Sequence, residues 1–257
     1  MFFIDVQGTL IDDNTKKPIA GAVAFIDHLN LSHIPYMVVT NSTKYSSCEF
    51  LAYLNSIGLN IPLSHYLDPL MVLEDSLSKE KKIAAYGSVE FLEVLTSIGY
   101  LLDYLSPDVV LLSIKEDFNH EEYAQMIEFL LGGCELIGMH ETSLYVKNHK
   151  RYPGVGALLK MLEFATSTPY SVVGKPSRPF FDTALQGLQQ QNSGATFGDV
   201  TMISDDVIGD LIPAQALGIR GVFVLSGKYR TREEILPQLD VQPDAVYVDM
   251  QAVLESL

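Results

Sequence analysis

The sequence predicts an α/β protein, a parallel sheet covered by helices on both faces. Three observations carry that expectation. Short apolar runs bounded by turn residues alternate with longer stretches whose apolar residues recur at helical spacing. The runs are short and almost wholly apolar, which reads as buried strand. Several of them end in carboxylate, hydroxyl or amine side chains, and open α/β sheets bind ligands just outside the carboxyl ends of their strands. The length of 257 residues allows one large domain or a core with a smaller second one, and 47% hydrophobic residues suffice for a packed core.

In chain order, the first strand is the run Met1-Phe2-Phe3-Ile4, followed at once by Asp5-Val6-Gln7-Gly8-Thr9-Leu10. Gly8 allows a tight turn and a close approach to a ligand. Residues 19–31 carry Val23, Ile26 and Leu29 at helical spacing. A second strand, Tyr36-Met37-Val38-Val39, ends in Thr40-Asn41-Ser42-Thr43. Residues 46–57 form a helix through Phe50, Leu51, Leu54 and Ile57, with Gly58 as its stop. A second α/β series follows: strand 82–86, helix 89–98, strand 109–114, helix 120–131, strand 135–139 and a further strand over 143–146. Helix 155–164 then precedes a strand at 170–173 that runs into Gly174-Lys175-Pro176. Last come helix 179–188, the strand Val200-Thr201-Met202-Ile203-Ser204 with the acids Asp205, Asp206 and Asp210 after it, helix 211–217, strand 221–224 and a short strand near 245–248.

Four strand ends therefore carry, in order, a carboxylate, a Thr-Asn pair, a lysine and an acidic cluster. Each alone reads as ordinary turn or helix-cap chemistry. Together they resemble the haloacid dehalogenase-like (HAD) hydrolase superfamily, whose four motifs have this order and these residue types. The long stretch between the second and third motifs is similar to the NagD-like branch, subfamily IIA. So are Val173-Gly174-Lys175-Pro176-Ser177 and Tyr152-Pro153-Gly154-Val155-Gly156-Ala157. The resemblance runs from Ile4 to about Tyr229. It implies a Rossmann-like HAD core of residues 1–70 and 168–257, with residues 71–167 inserted as an α/β cap that closes over the substrate.

The resemblance also implies roles. Asp5 matches the family nucleophile, and a carboxylate can split phosphoryl transfer into two steps through an aspartyl-phosphate. Mg²⁺ takes oxygen ligands, usually one or two carboxylates with water and substrate phosphate. Asp5, Asp205 and the backbone carbonyl of Gln7 match the family's ligands. Asp210 matches the second acid of the last motif, near the metal or orienting Lys175, while Asp206 reads as a supporting or exposed acid. Thr40 and Asn41 would hold the phosphoryl group through a hydroxyl and backbone N–H groups. Lys175 would neutralise phosphate charge and restrain Asp5.

One residue departs from the pattern. Phosphatases of the family usually carry Asp two residues after the nucleophile, as acid for the leaving group and base for water. Here the residue is Gln7, and an amide neither gives up nor retrieves a proton at neutral pH. General acid–base catalysis is worth about 10²–10⁴-fold. Three resolutions stay open: a substrate whose leaving group needs no protonation, such as an acyl or nitrogen-linked phosphate; a proton from His140 or Glu141 in the second α/β series; or a binding role with little hydrolysis. The expected function is a Mg²⁺-dependent phosphatase acting on a small phosphorylated metabolite. The alternative is a catalytically impaired protein that binds a phosphoryl ligand. A dehalogenase fits less well, because that chemistry does not need an acidic Mg²⁺ site.

Charge and cysteines narrow the setting. A net charge of −15 argues against a nucleic-acid partner, since phosphate backbones want a basic face. No apolar run is long enough for a bilayer, and the first strand begins at residue 2 without a basic lead-in. Cys48 and Cys134 read as free thiols of a cytoplasmic protein. A homodimer stands open.

Overall fold

Every strand pairing in the two larger sheets is parallel, as the doubly covered apolar runs require. The structure, a computed structural model, describes residues 1–147 and 150–257. The chain begins with β1 (Phe2–Ile4), α1 (Ala22–Leu31), β2 (Tyr36–Val39), α2 (Ser47–Ser56) and β3 (Tyr66–Leu67). It continues through α3 (Pro69–Ser76), β4 (Lys82–Tyr86), α4 (Val89–Ser97), β5 (Leu101–Leu102), β6 (Val109–Leu112) and α5 (His120–Leu131). Next are β7 (Glu135–Gly138), β8 (Leu144–Lys147), β9 (Lys150–Pro153), α6 (Val155–Thr166) and β10 (Tyr170–Val172). It closes with α7 (Arg178–Gln191), β11 (Thr201–Ser204), α8 (Ile212–Ala216), β12 (Arg220–Val224), β13 (Ala245–Tyr247) and α9 (Met250–Glu255).

These elements fall into two compact units. Met1–Thr40, Cys48–Leu67 and Phe181–Leu257 make the first, and Asn41–Ser47 with Asp68–Phe180 the second. The first unit's sheet has the order β13-β12-β11-β1-β2-β3. From β1 the chain winds outward through β2 and β3, and the last third of the chain winds the other way through β11, β12 and β13. The switch point therefore lies between β1 and β11, where doubly wound sheets bind their ligands. Phe3, Ile4, Val38, Val39, Met202 and Ile203 are all buried, which explains strands that read as continuous apolar runs. Phe3 stacks on Phe181 of α7 at 6.3 Å.

The second unit has its own five-stranded sheet, β10-β7-β6-β4-β5, and the antiparallel pair β8–β9. Met126 and Leu130 of α5 and Leu158, Leu159 and Leu162 of α6 join Val110, Leu112 and Leu136 in its core. The start of α5 is fixed by a capping box: Glu122 N–H donates to Asn119 Oδ1 and Asn119 N–H to Glu122 Oε2, each at 3.1 Å. The strand leading to Lys175 pairs here with β7, so Lys175 belongs to this unit.

Boundaries differ from the sequence expectation where local chemistry intervenes. The first helix begins at Ala22, not residue 19, because Gly21 takes φ +79° and a Cβ there would lie 2.2 Å from the main-chain nitrogen of Gln251. The helix expected at 211–217 is preceded by a π-helical turn, Val207–Leu211, whose wide ring is closed by Leu211 N–H donating to Asp206 O at 3.2 Å. Helix α3 was not expected, although Asp68 caps it by accepting from the N–H groups of Leu70 and Met71, and Pro69 opens it. Strands β3 and β5 are two residues long, too short to leave a periodic signal.

Candidate active site

Asp5 and Asp205 follow β1 and β11, the two strands that flank the switch point, and both carboxylates are buried. The register pairs Ile4 with Ile203, so the two acids leave neighbouring strands in almost the same layer. Thr9 joins them. Its hydroxyl donates to Asp5 Oδ2 at 3.4 Å and accepts the Asp205 N–H at 3.1 Å. The turn that places Thr9 is tight: the N–H groups of Thr9, Leu10 and Ile11 all donate to Val6 O. Gly8 sits in the left-handed region at φ +77°.

The Asp205 carboxylate lies between two glycines. A Cβ on Gly8 would stand 2.3 Å from Asp205 Oδ2, and one on Gly227 only 1.8 Å from it. Lys228 N–H donates to that same oxygen at 2.7 Å. Ser226 Oγ donates to Gly8 O at 2.7 Å and ties this loop to the first. The Lys228 ammonium pairs with Asp206.

Burial pushes the Asp205 carboxyl well above the usual carboxylate range, and the negative charges of Asp5 and Asp206 push it further; Lys228 opposes them. Burial alone would pull the Lys228 ammonium down, but Asp206, with Asp205 and Asp210, outweighs it and the net shift is upward. Two buried carboxylates whose ionised forms repel make a site that favours a hard cation. Their oxygens are the donor chemistry that Mg²⁺ takes. Among the described residues no three His, Cys, Asp or Glu side chains group as metal ligands. Asp210 is buried and accepts from Ser204 Oγ at 2.7 Å, and Ser204 Oγ in turn accepts Asp206 N–H at 3.0 Å.

Gln7 is half-buried in the turn after β1, and its Oε1 accepts from the fully buried Thr40 hydroxyl at 2.8 Å. Asn41 and Lys175 belong to the second unit, where they bind each other. Lys175 N–H donates to Asn41 Oδ1 at 2.8 Å, and Asn41 Nδ2 donates to Lys175 O at 3.2 Å. Gly174 is needed beside them, since a Cβ would fall 2.3 Å from Met139 O and 2.7 Å from Asn41 Oδ1. His140 and Glu141 follow β7 in the same unit. His140 is buried and accepts Thr142 N–H on Nδ1 at 3.4 Å. Glu141 accepts the Tyr170 hydroxyl.

The structure thus brings Asp5, Gln7, Thr40, Asp205 and Asp210 into one unit, and Asn41, Lys175, His140 and Glu141 into the other. Sequence reasoning missed Thr9, Gly227 and Lys228. Thr9 could have been found as the hydroxyl beside the turn glycine. Gly227-Lys228 follows β12 without any neighbouring signal.

Comparison with known proteins bears on this arrangement. A family model described as haloacid dehalogenase-like hydrolase matches residues 2–101, and a second, HAD-hydrolase-like, matches residues 172–253. The chain is 30% identical over 251 residues to the phospholysine phosphohistidine inorganic pyrophosphate phosphatase of Mus musculus, covering 96% of this chain and 89% of that protein. It is 29% identical over 232 residues to haloacid dehalogenase-like hydrolase domain-containing protein 2 of Bos taurus, covering 90% and 86%. Among solved structures, the p-nitrophenyl phosphatase from Archaeoglobus fulgidus superposes with a TM-score of 0.84 at 24% identity, over 100% of this chain and 98% of that one. NagD from the E. coli K-12 strain gives 0.76 at 21%, over 97% and 96%. The two structural likenesses establish the fold.

Proposed function

The chain belongs to the haloacid dehalogenase-like hydrolase family, and on that premise we propose that it is a Mg²⁺-dependent phosphatase acting on a small phosphorylated metabolite. The observation that carries the reading is the pair of buried, mutually repelling carboxylates of Asp5 and Asp205 at the switch point. Asp5 is assigned as nucleophile. Its Oδ forms a bond to phosphorus while the bond to the leaving group breaks, and water then attacks the aspartyl-phosphate. Asp205 and the main-chain carbonyl of Gln7 join Asp5 as ligands of Mg²⁺, which when bound supplies positive charge against the incoming phosphoryl anion. Asp210 is assigned to support that site through Ser204, whose hydroxyl it accepts. Thr9 holds Asp5 and Asp205 in register. Lys175 is assigned to phosphate charge, and Asn41 to fixing the Lys175 main chain.

The names of relatives support a phosphoryl substrate: p-nitrophenyl phosphate for one structural neighbour, and phospholysine, phosphohistidine and pyrophosphate for the murine relative. The second unit is read as the cap that sets substrate choice, so that exchanging it for a relative's should change the substrate range. A cytoplasmic location fits the free thiols of Cys48 and Cys134. No helix among the described residues is long and apolar enough to cross a membrane.

The test is a screen of phosphorylated metabolites, including acyl, phosphoamide and pyrophosphate compounds, with and without Mg²⁺. Asp5→Asn should abolish turnover without lowering the thermal midpoint of the metal-free protein. Retained hydrolysis in a clean preparation of Asp5→Asn refutes the nucleophile. Gln7 favours one second reading, a phosphoryl-ligand-binding protein without turnover. That reading gains if the wild type binds inorganic phosphate with Mg²⁺ yet hydrolyses none of the screen.

A further inference from the structure

We propose that Gln7 is a fixed hydrogen-bond donor to the leaving oxygen, and that it restricts the enzyme to phosphoryl groups on weakly basic oxygens, namely acyl phosphates and phosphoanhydrides. The inference rests on the phosphatase reading above and names its substrate class. A hydroxyl has one proton, and the proton of Thr40 is directed at Gln7 Oε1 at 2.8 Å. Thr40 is fully buried at the end of β2, beside β1, so it holds the amide from its carbonyl side. The amide is planar, and its two N–H bonds therefore point away from Thr40. Gln7 Nε2 has no hydrogen-bond partner among the described residues, although the side chain is half-buried. The atom is not one of the buried unpaired polar atoms, so it reaches solvent and can donate to an acceptor that enters the site.

The chemistry follows from what an amide can do. It donates a hydrogen bond without surrendering the proton. When Asp5 attacks phosphorus, the electron pair of the breaking P–O bond stays on the leaving oxygen, which departs as an anion. Gln7 Nε2–H stabilises that charge, and no proton moves. In the second step water attacks the aspartyl-phosphate, the Asp5 carboxylate is released, and both water protons end on the phosphate, giving dihydrogen phosphate. No external acid or base is needed if the leaving group is a carboxylate or a phosphate. An alkoxide would need a proton that Gln7 cannot supply. Thr40 acts as a positioning residue for Gln7.

The experiment measures kcat and KM with Mg²⁺ for acetyl phosphate, pyrophosphate, a series of aryl phosphates of graded leaving-group pKa, and glycerol phosphate. The proteins are the wild type, Gln7→Leu, Gln7→Glu, Thr40→Ser and Thr40→Val, each checked for an unchanged thermal midpoint. Binding of orthovanadate, whose apical oxygen occupies the leaving position, is measured by calorimetry on the same set. Gln7→Leu and Gln7→Glu should lose on the order of 10²-fold in kcat with little change in KM, and bind vanadate more weakly. Thr40→Val should lose about tenfold in the same direction, and Thr40→Ser should recover most of it. The wild-type rate should fall steeply as leaving-group pKa rises, and more steeply still in Gln7→Leu. Wild-type kcat and vanadate affinity in Gln7→Leu, or equal losses on every leaving group, overturn the donor role alone. A wild type that turns over no probe overturns the phosphatase reading, and weaker vanadate binding by Gln7→Leu then still supports the donor.

Discussion

Replacing Thr9 by Val tests the joint between the two candidate metal ligands with almost no change of shape. Thr9 is fully buried, and its hydroxyl serves both Asp5 Oδ2 and the Asp205 N–H. The valine methyl fills the hydroxyl's place but can neither donate nor accept. The Asp205 N–H is then orphaned in a buried site, which costs about 1–3 kcal/mol. The bond to Asp5 is long at 3.4 Å and adds little to that figure. Such a loss lowers a thermal midpoint by roughly 2–10 °C for a chain of this size. Thr9→Ser keeps the hydroxyl and loses only a buried methyl, about 1 kcal/mol. Differential scanning calorimetry of the metal-free proteins should therefore rank wild type above Thr9→Ser above Thr9→Val. Calorimetric titration should show Mg²⁺ affinity near that of the wild type in Thr9→Ser and weaker in Thr9→Val, because Asp5 and Asp205 lose their common anchor only in the valine variant. A valine variant as stable as the serine variant, with equal Mg²⁺ affinity, would refute the reasoning.

Three further outcomes follow from the same site. The raised Asp205 carboxyl binds its proton more tightly folded than unfolded, so the metal-free protein loses stability as pH rises from the ordinary carboxylate range towards the raised value. Mg²⁺ should consequently raise the melting temperature more at pH 7.5 than at pH 5, and Asp205→Asn should stabilise the metal-free protein at neutral pH while removing the Mg²⁺ response; a destabilised Asp205→Asn refutes this. Gly227→Ala would drive a methyl to 1.8 Å from Asp205 Oδ2, and a calorimetric Mg²⁺ affinity equal to wild type would show that this oxygen is not where the metal needs it. Asn41→Ala removes both bonds to the Lys175 main chain and should cost about 1–3 kcal/mol in urea denaturation, and Asn41→Asp, which sets an acceptor against Lys175 O, should not recover it.

The parts of this protein legible in its sequence are those fixed by local patterns. Asp5, Thr40 and Asp205 could be placed because each follows an apolar run, and a parallel sheet puts all such ends on one edge. The helices that bury a stripe, such as α5, announced themselves by spacing, whereas the Asn119–Glu122 cap that starts α5 was not read. What escaped was set by contacts distant in sequence. Thr9 reaches Asp205 across 196 positions, and Lys228 meets Asp205 only because the loop after β12 folds back onto the first turn. Lys175 was legible as a charge at a strand end but not as a member of the second unit, since β10 carries no mark of the sheet it will join. Asn41 was expected to face a phosphoryl group through its backbone, and no spacing could reveal that its amide would brace the Lys175 main chain in both directions. The most consequential residue shows the same division. Gln7 was readable as a departure from a family pattern, which is a statement about what is missing. That its carbonyl end accepts from Thr40 is a contact between the ends of β1 and β2, which no local pattern announces.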